Sequence, residues 1–375
     1  MEEAFLPDKL WYHVDNADDV NSPNLLVYPD RIESNIQKMV EIANGTDHLR
    51  PHVKTHKMSE IIRLQMKYGI KKFKCATISE TEMVARCGAN DILLAMQPVG
   101  PNIKRFFQLQ KEFSGAKISC ITDSEEVIIQ LSDMARNTGI ETHVWLDINN
   151  GMNRTGVTPG ERAVRLFNRI VDSPMLIAEG VHVYDGHINE PDLLLRKKLC
   201  DDAFTQVISF TGELEKEGIG PIKIVAGGTP SFPLHALRGD VECSPGTLLL
   251  WDYKSSSSYT DMEFSHAAVL LTRIVSKPGI DLLCLDLGHK AIASEMPQPR
   301  INFFGLKKYT TINHSEEHMV IRTTESVKYK TGDLLFGIPW HICPTVDRYD
   351  YVTVVKNNKA SGQWNVEART RKITI

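Results

Sequence analysis

Between residues 49 and 244, short apolar runs alternate with amphipathic helical segments, and that rhythm restricts the architecture more than any other feature of the chain. Strand candidates fall at 49–53, 73–76, 92–95, 118–121, 142–148, 176–183, 222–226 and 241–244. Helical segments separate most of them. Ser79-Glu-Thr-Glu82 reads as a capping box, and Gly88 and Gly139 stand where helices stop. Strands that are apolar throughout, rather than alternating, belong to parallel sheets covered on both faces, and eight of them in this order specify a (β/α)8 TIM-type barrel. A doubly wound open sheet is the alternative, weakened because no G-x-G-x-x-G turn follows the first strand.

Outside the repeat, 25–28 is a short strand candidate, followed by a helix from Asp30 with Ile32, Ile36, Met39, Val40 and Ala43 on one face. After residue 260 the texture changes. Runs at 267–276, 282–287, 318–322, 333–338, 351–355 and 364–368 are strand-like, with turn signals such as Lys277-Pro-Gly279 between them. The expected division is a barrel over 24–255 and a β-rich domain made of 1–23 and 256–375, with the serine run at 255–258 as linker.

Charge and cysteine usage narrow the setting. Forty-three basic residues against 47 acidic ones give no support to a nucleic-acid or membrane-surface role. Seven cysteines without paired spacing point to a reducing compartment. No run has the roughly 18 apolar residues of a membrane span. The first residues lack the pattern of a signal peptide, so a cytoplasmic protein is expected.

Barrel active sites lie at the C-terminal ends of the strands, and the unusual residues here cluster there. Lys54, in the stretch RPHVKTHK at 50–57, follows strand one. Asn153-Arg154-Thr-Gly156 follows strand five, and Tyr184-Asp-Gly-His187 strand six, with His182 just before it. Gly227-Gly228-Thr229-Pro-Ser231 follows strand seven. Successive backbone N–H groups of such a turn can cradle a phosphate, with the Thr229 and Ser231 hydroxyls donating to it. A lysine at the barrel mouth with a phosphate cradle on a later loop suits pyridoxal phosphate, though lysine aldolases of sugar phosphates share these parts. In Pro339-Trp-His-Ile-Cys343, continued extension turns His341 and Cys343 to one side, where they can share a divalent ion. The nitrogen and sulfur donors favour zinc, with manganese as the alternative.

Taken together, RPHVKTHK, Asn153-Arg154-Thr-Gly156, Tyr184-Asp-Gly-His187, Gly227-Gly-Thr-Pro230 and His341-x-Cys343 resemble the motifs of the D-threonine aldolase and D-serine dehydratase family, in order and separation. That family has the alanine-racemase-like fold. The resemblance implies a homodimer in which Lys54 is the Schiff-base lysine and Arg154 and Tyr184 contact the cofactor. Gly227, Gly228 and Thr229 then bind its phosphate, and His341 with Cys343 a metal beside a small D-amino acid substrate. Trp340 and Ser231 depart from the family pattern, and Trp340 bears on the room for the substrate side chain. The implied activity is a PLP- and metal-dependent lyase acting on β-hydroxy-D-amino acids. An amino-acid racemase of the same fold and a non-enzymatic PLP-binding protein are the alternatives.

Overall fold

The structure is a computed structural model and describes residues 10–375. The earlier residues of the expected 1–23 segment therefore lie outside the described ones. Two compact units are present. One comprises Ile36–Leu248, Ser258–Met262 and Glu367–Ile375, and the other the described residues up to Asn35 with Leu249–Ser257 and Glu263–Val366.

In chain order the strands are β1 (Asn24–Val27), β2 (Lys72–Cys75), β3 (Asp91–Leu94), β4 (Lys117–Thr122), β5 (Thr142–Ile148), β6 (Leu176–Val183), β7 (Lys223–Ala226) and β8 (Val241–Cys243). β2 to β8 form one parallel sheet in strictly sequential order. A doubly wound sheet reverses its order at a switch point, and none occurs here. The gap between β8 and β2 is bridged by residues 48–52. The N–H of Arg50 donates to Cys243 O at 2.9 Å, that of His52 to Pro245 O at 2.8 Å, and that of Lys74 to Pro51 O at 2.9 Å. Pro51 has no N–H to give, which is why this segment pairs through isolated bridges rather than as a regular strand.

Side chains fill the curled sheet in layers. Near the N-terminal ends of the strands the buried Arg50 guanidinium donates to Asp91 and Glu242, each at 2.7 Å, while Lys117 and Lys72 pair with the same two carboxylates. Leu93, Ile121, Trp145 and Val225 make an apolar cluster in the middle. Toward the C-terminal ends stand Lys74, Asp147 and His182, all buried.

Two local readings are corrected. The helix Ile78–Arg86 is capped by Thr77, not Ser79: Thr77 Oγ1 accepts from the N–H of Glu80, whose carboxylate accepts from that of Ala76 at 2.6 Å. The serine run at 255–258 is not a linker but belongs to the helix Tyr253–Ser258.

The other unit is built on a nine-stranded, mainly antiparallel sheet. It contains β9 (Ala268–Gly279), β10 (Leu282–Leu285), β11 (Ile301–Phe303), β12 (Thr310–His314), β13 (Met319–Arg322), β14 (Leu334–Pro339), β15 (Tyr351–Lys356) and β16 (Lys359–Asn365). β1 joins this sheet, antiparallel to β9 and parallel to β15, so a segment expected with the barrel is a central strand of the β-rich unit. Four consecutive buried residues suit either position, and only the pairing decides. Among the described residues no helix is long and apolar enough to cross a membrane.

Candidate functional site

Lys54 is held in a short 3-10 turn, Val53–Thr55, rather than at the tip of a strand. His52 caps the turn, its Nδ1 accepting from the N–H of Lys54 at 3.3 Å. The loop after β8 lies close against it: a Cβ on Gly246 would fall 2.8 Å from His52 O.

Arg154 is presented by the loop after β5. Asn149 Oδ1 accepts from the N–H groups of Gly151 and Asn153, and the Gly156 N–H donates to Asp123 at 2.7 Å. Gly156 has φ +94°, and a Cβ there would sit 2.6 Å from Asn149 N, so only glycine closes this turn. Tyr184 follows β6, where a Cβ on Gly186 would strike its ring at 2.5 Å.

The Tyr184 ring is the meeting point. Arg154 Cζ lies 4.6 Å from its centroid, Lys54 Nζ 5.3 Å and Lys74 Nζ 5.7 Å. Gly228 is beside the same ring, 3.4 Å from it at the position of a Cβ. The structure thus gathers Lys54, Arg154, Tyr184 and the Gly227-Gly228-Thr229 turn, which the sequence spreads over 176 positions (229 less 54, counted inclusively).

Parts of that turn are already engaged. The Gly227 N–H donates to Val183 O at 3.0 Å, and the Gly228 N–H to Ser231 Oγ at 3.2 Å. The Ser231 hydroxyl donates to Asp185 at 2.8 Å, so it does not serve as an outward donor, contrary to expectation. Thr229 Oγ1 accepts from the N–H groups of Gly246 and Thr247, tying the loop after β7 to the loop after β8. Behind the turn, Asp185, Cys200 and His235 bring potential metal-ligand atoms within 4.8 Å of one another. Their hydrogen bonds account for the grouping: His235 Nε2 lies 2.8 Å from Asp185, and Arg238 donates to His235 Nδ1.

Sequence reasoning missed Lys74 and Asp147 and undervalued His182. His182 Nδ1 is 2.7 Å from Asp147 Oδ1, while its Nε2 and the Nζ of Lys74 are buried without a hydrogen-bond partner among the described residues. Burial first, and then the charge of Lys54, bring the Lys74 amine down to about 7. Burial, with Lys54 and Lys74 nearby, holds His52 well below the usual imidazole range. The available signal was a lysine between Phe73 and Cys75 in a strand otherwise apolar at its end. Unpartnered Lys74, together with Lys54 and Arg154 around one aromatic ring, fits a ligand that brings anionic oxygens.

In the β-rich unit the extension expected through 339–343 ends at His341, which is the N-cap of the helix Ile342–Val346. Asp252 accepts from the Ile342 N–H at 3.0 Å and favours this break. His341 and Cys343 nevertheless interact. Burial opposes protonation of His341, yet Cys343 and then Glu295 hold its pKa up at about 9. Glu295 lies 2.5 Å from His341 Nδ1. Trp340 packs against Tyr253 with centroids 5.5 Å apart.

The alanine racemase N-terminal domain family matches residues 27–253, and a serine dehydratase domain matches 267–355. A 3-hydroxy-D-aspartate aldolase of Paracoccus denitrificans (strain Pd 1222) is 30% identical over 364 residues, covering 94% of this chain and 92% of that one. A D-threonine aldolase of Arthrobacter sp. is 28% identical, covering 93% of each. The crystal structure of D-threonine aldolase from Filomicrobium marinum superposes with a TM-score of 0.87 at 26% identity, covering 94% of this chain and 96% of that one.

Proposed function

The chain belongs to the alanine racemase N-terminal domain family, and on that premise we propose that it is a pyridoxal-phosphate-dependent lyase acting on β-hydroxy-D-amino acids. The observation that carries this reading is the convergence of Lys54 and Arg154 on Tyr184 beside the Gly227-Gly228 turn. Lys54 forms the covalent link to the cofactor's aldehyde. Arg154 and Tyr184 orient the ring, and Gly227, Gly228 and Thr229 hold the phosphate. Bound pyridoxal phosphate supplies an electron sink for the negative charge that develops at Cα.

His341 and Cys343 hold a divalent metal in this reading, zinc ahead of manganese because of the nitrogen and sulfur donors. Such an ion lowers the pKa of a coordinated hydroxyl by several units. Released from the cofactor, the Lys54 amine would move a proton at Cα, as dehydration requires. Aldol cleavage requires instead that the Cα–Cβ bond break. The barrel as cofactor-binding domain, expected over 24–255 and compact over Ile36–Leu248, and the β-rich domain carrying the metal pair belong to this reading. So do a homodimer and a cytoplasmic setting. The serine dehydratase match favours the lyase over a racemase or a cofactor-supply protein, neither of which calls for that domain.

The deciding experiment incubates protein loaded with pyridoxal phosphate with D-threonine, 3-hydroxy-D-aspartate and D-serine, after chelation and after adding back zinc or manganese. Glycine plus an aldehyde identifies aldol cleavage, and a 2-oxo acid plus ammonia identifies dehydration. Inactivity on all three substrates sinks the reading, and turnover indifferent to chelation sinks its metal part.

A further inference from the structure

Lys74 is the one member of the cluster at the barrel mouth that no motif explains. Its side chain leaves β2 toward the interior, and the residue is 2% exposed. Among the described residues its Nζ has no hydrogen-bond partner. The carboxylates nearest in effect are committed elsewhere: Asp147 to His182, and Asp185 to Ser231 and His235. Two other cationic groups, Lys54 and Arg154, share the Tyr184 ring with it. An amine buried without a partner is a cost to folding, and so is its repulsion with neighbouring cations. A methionine of similar length would fill the same space without either cost. Among the described residues nothing answers this amine, so a bound ligand is its natural partner.

That partner carries negative oxygen. With Lys54 taken by the covalent link in the proposed reading, Arg154 and Lys74 still face the Tyr184 ring, while the Gly227-Gly228-Thr229 turn already supplies the phosphate cradle. We propose that Lys74 Nζ binds an anionic oxygen of the ligands at this site, either the ring hydroxyl oxygen of bound pyridoxal phosphate or the carboxylate of the amino acid substrate. This rests on the pyridoxal phosphate reading of the preceding subsection. In that role Lys74 is a binding residue that forms no covalent bond, and Lys54 remains the amine that does.

The test compares wild type with Lys74→Met and Lys74→Arg, all titrated with pyridoxal phosphate and followed by the visible absorbance of the bound cofactor. If Lys74 holds the ring oxygen, Lys74→Met binds the cofactor about tenfold or more weakly and its absorbance band shifts, with partial recovery in Lys74→Arg. If Lys74 holds the substrate carboxylate, affinity and band are unchanged, and KM for the amino acid that is turned over rises about tenfold or more with little change in kcat. In either case the cofactor-free Lys74→Met protein unfolds at or above the wild-type midpoint. Equal cofactor affinity, band position and KM in wild type and Lys74→Met overturn the inference, and so does an apo midpoint well below wild type. Failure of wild type itself to bind pyridoxal phosphate overturns instead the reading on which the inference rests.

Discussion

The carboxylate of Asp185 lies 2.8 Å from Nε2 of His235, joining the residue after Tyr184 to the helix that follows the Gly227-Gly228 turn. The same carboxylate accepts from the Ser231 hydroxyl, whose oxygen in turn accepts from the Gly228 N–H. A Cβ on Gly227 would be 2.8 Å from the His235 ring, so the turn is shaped directly against this network. Asp185 therefore fixes the shape of the turn.

Asp185→Asn is expected to weaken pyridoxal phosphate binding by about tenfold, because the amide cannot accept from both Ser231 and His235 with a full negative charge. Fluorescence or absorbance titration measures the loss. Inorganic phosphate, which uses the turn and not the ring contacts, should lose protection against the cofactor in parallel. Unaltered affinity for both would remove Asp185 from the support of the turn.

Lys54→Ala should abolish both the cofactor's imine absorbance and the turnover of D-amino acids, since no other amine replaces the covalent link. Borohydride reduction followed by peptide mass analysis locates the link in wild type. A coloured, active Lys54→Ala protein would move the covalent site elsewhere, and Lys74 would be the first residue to examine.

His56 gives a pH dependence. It is fully buried, with Nδ1 accepting from the Met58 N–H, and burial brings its pKa down to about 3. The unfolded chain takes up this proton near pH 6.5, but the folded chain resists until about 3. The stability tied to neutral His56 is thus complete above pH 6.5 and is lost as the pH falls toward 3, by a few kcal/mol. Denaturant unfolding of wild type and His56→Asn between pH 4 and 8 should show a shallower acid slope in the variant. Identical slopes would argue that His56 is not the group responsible.

Arg50 carries a stability prediction. Only 1% of its side chain is exposed, and its guanidinium pairs with both Asp91 and Glu242. Arg50→Met leaves those carboxylates with Lys117 and Lys72 but without their buried partner, and should destabilise the protein by about 3 kcal/mol or more. The unfolding midpoint in denaturant reads this out. A loss below about 1 kcal/mol would mean that the lysines and solvent satisfy the carboxylates unaided.

Much of the architecture was legible in the sequence because a parallel barrel needs each strand buried on both faces. That requirement writes apolar runs into the chain at regular intervals, and it puts chemically unusual residues immediately after them. That rule singled out Lys54, Arg154, Tyr184 and the Gly227-Gly228-Thr229 turn, which the structure brings together, and spacing singled out His341 and Cys343, which interact. Where local pattern suits two structures equally, it failed: β1 was expected within the bounds of the barrel domain and is a central strand of the other sheet, and the 339–343 extension breaks into a helix. Lys74 was invisible for a related reason. Spacing along one strand cannot reveal that residues from β2, β5 and β6 meet in one layer, nor that Asp147 and Asp185 are already taken by other partners. The sequence by itself determined which segments build the barrel and which loops carry its unusual residues, because burial periodicity is local. Only the tertiary structure decided which buried polar groups find partners among the described residues and which do not, because hydrogen bonding between distant segments depends on where the fold brings them together.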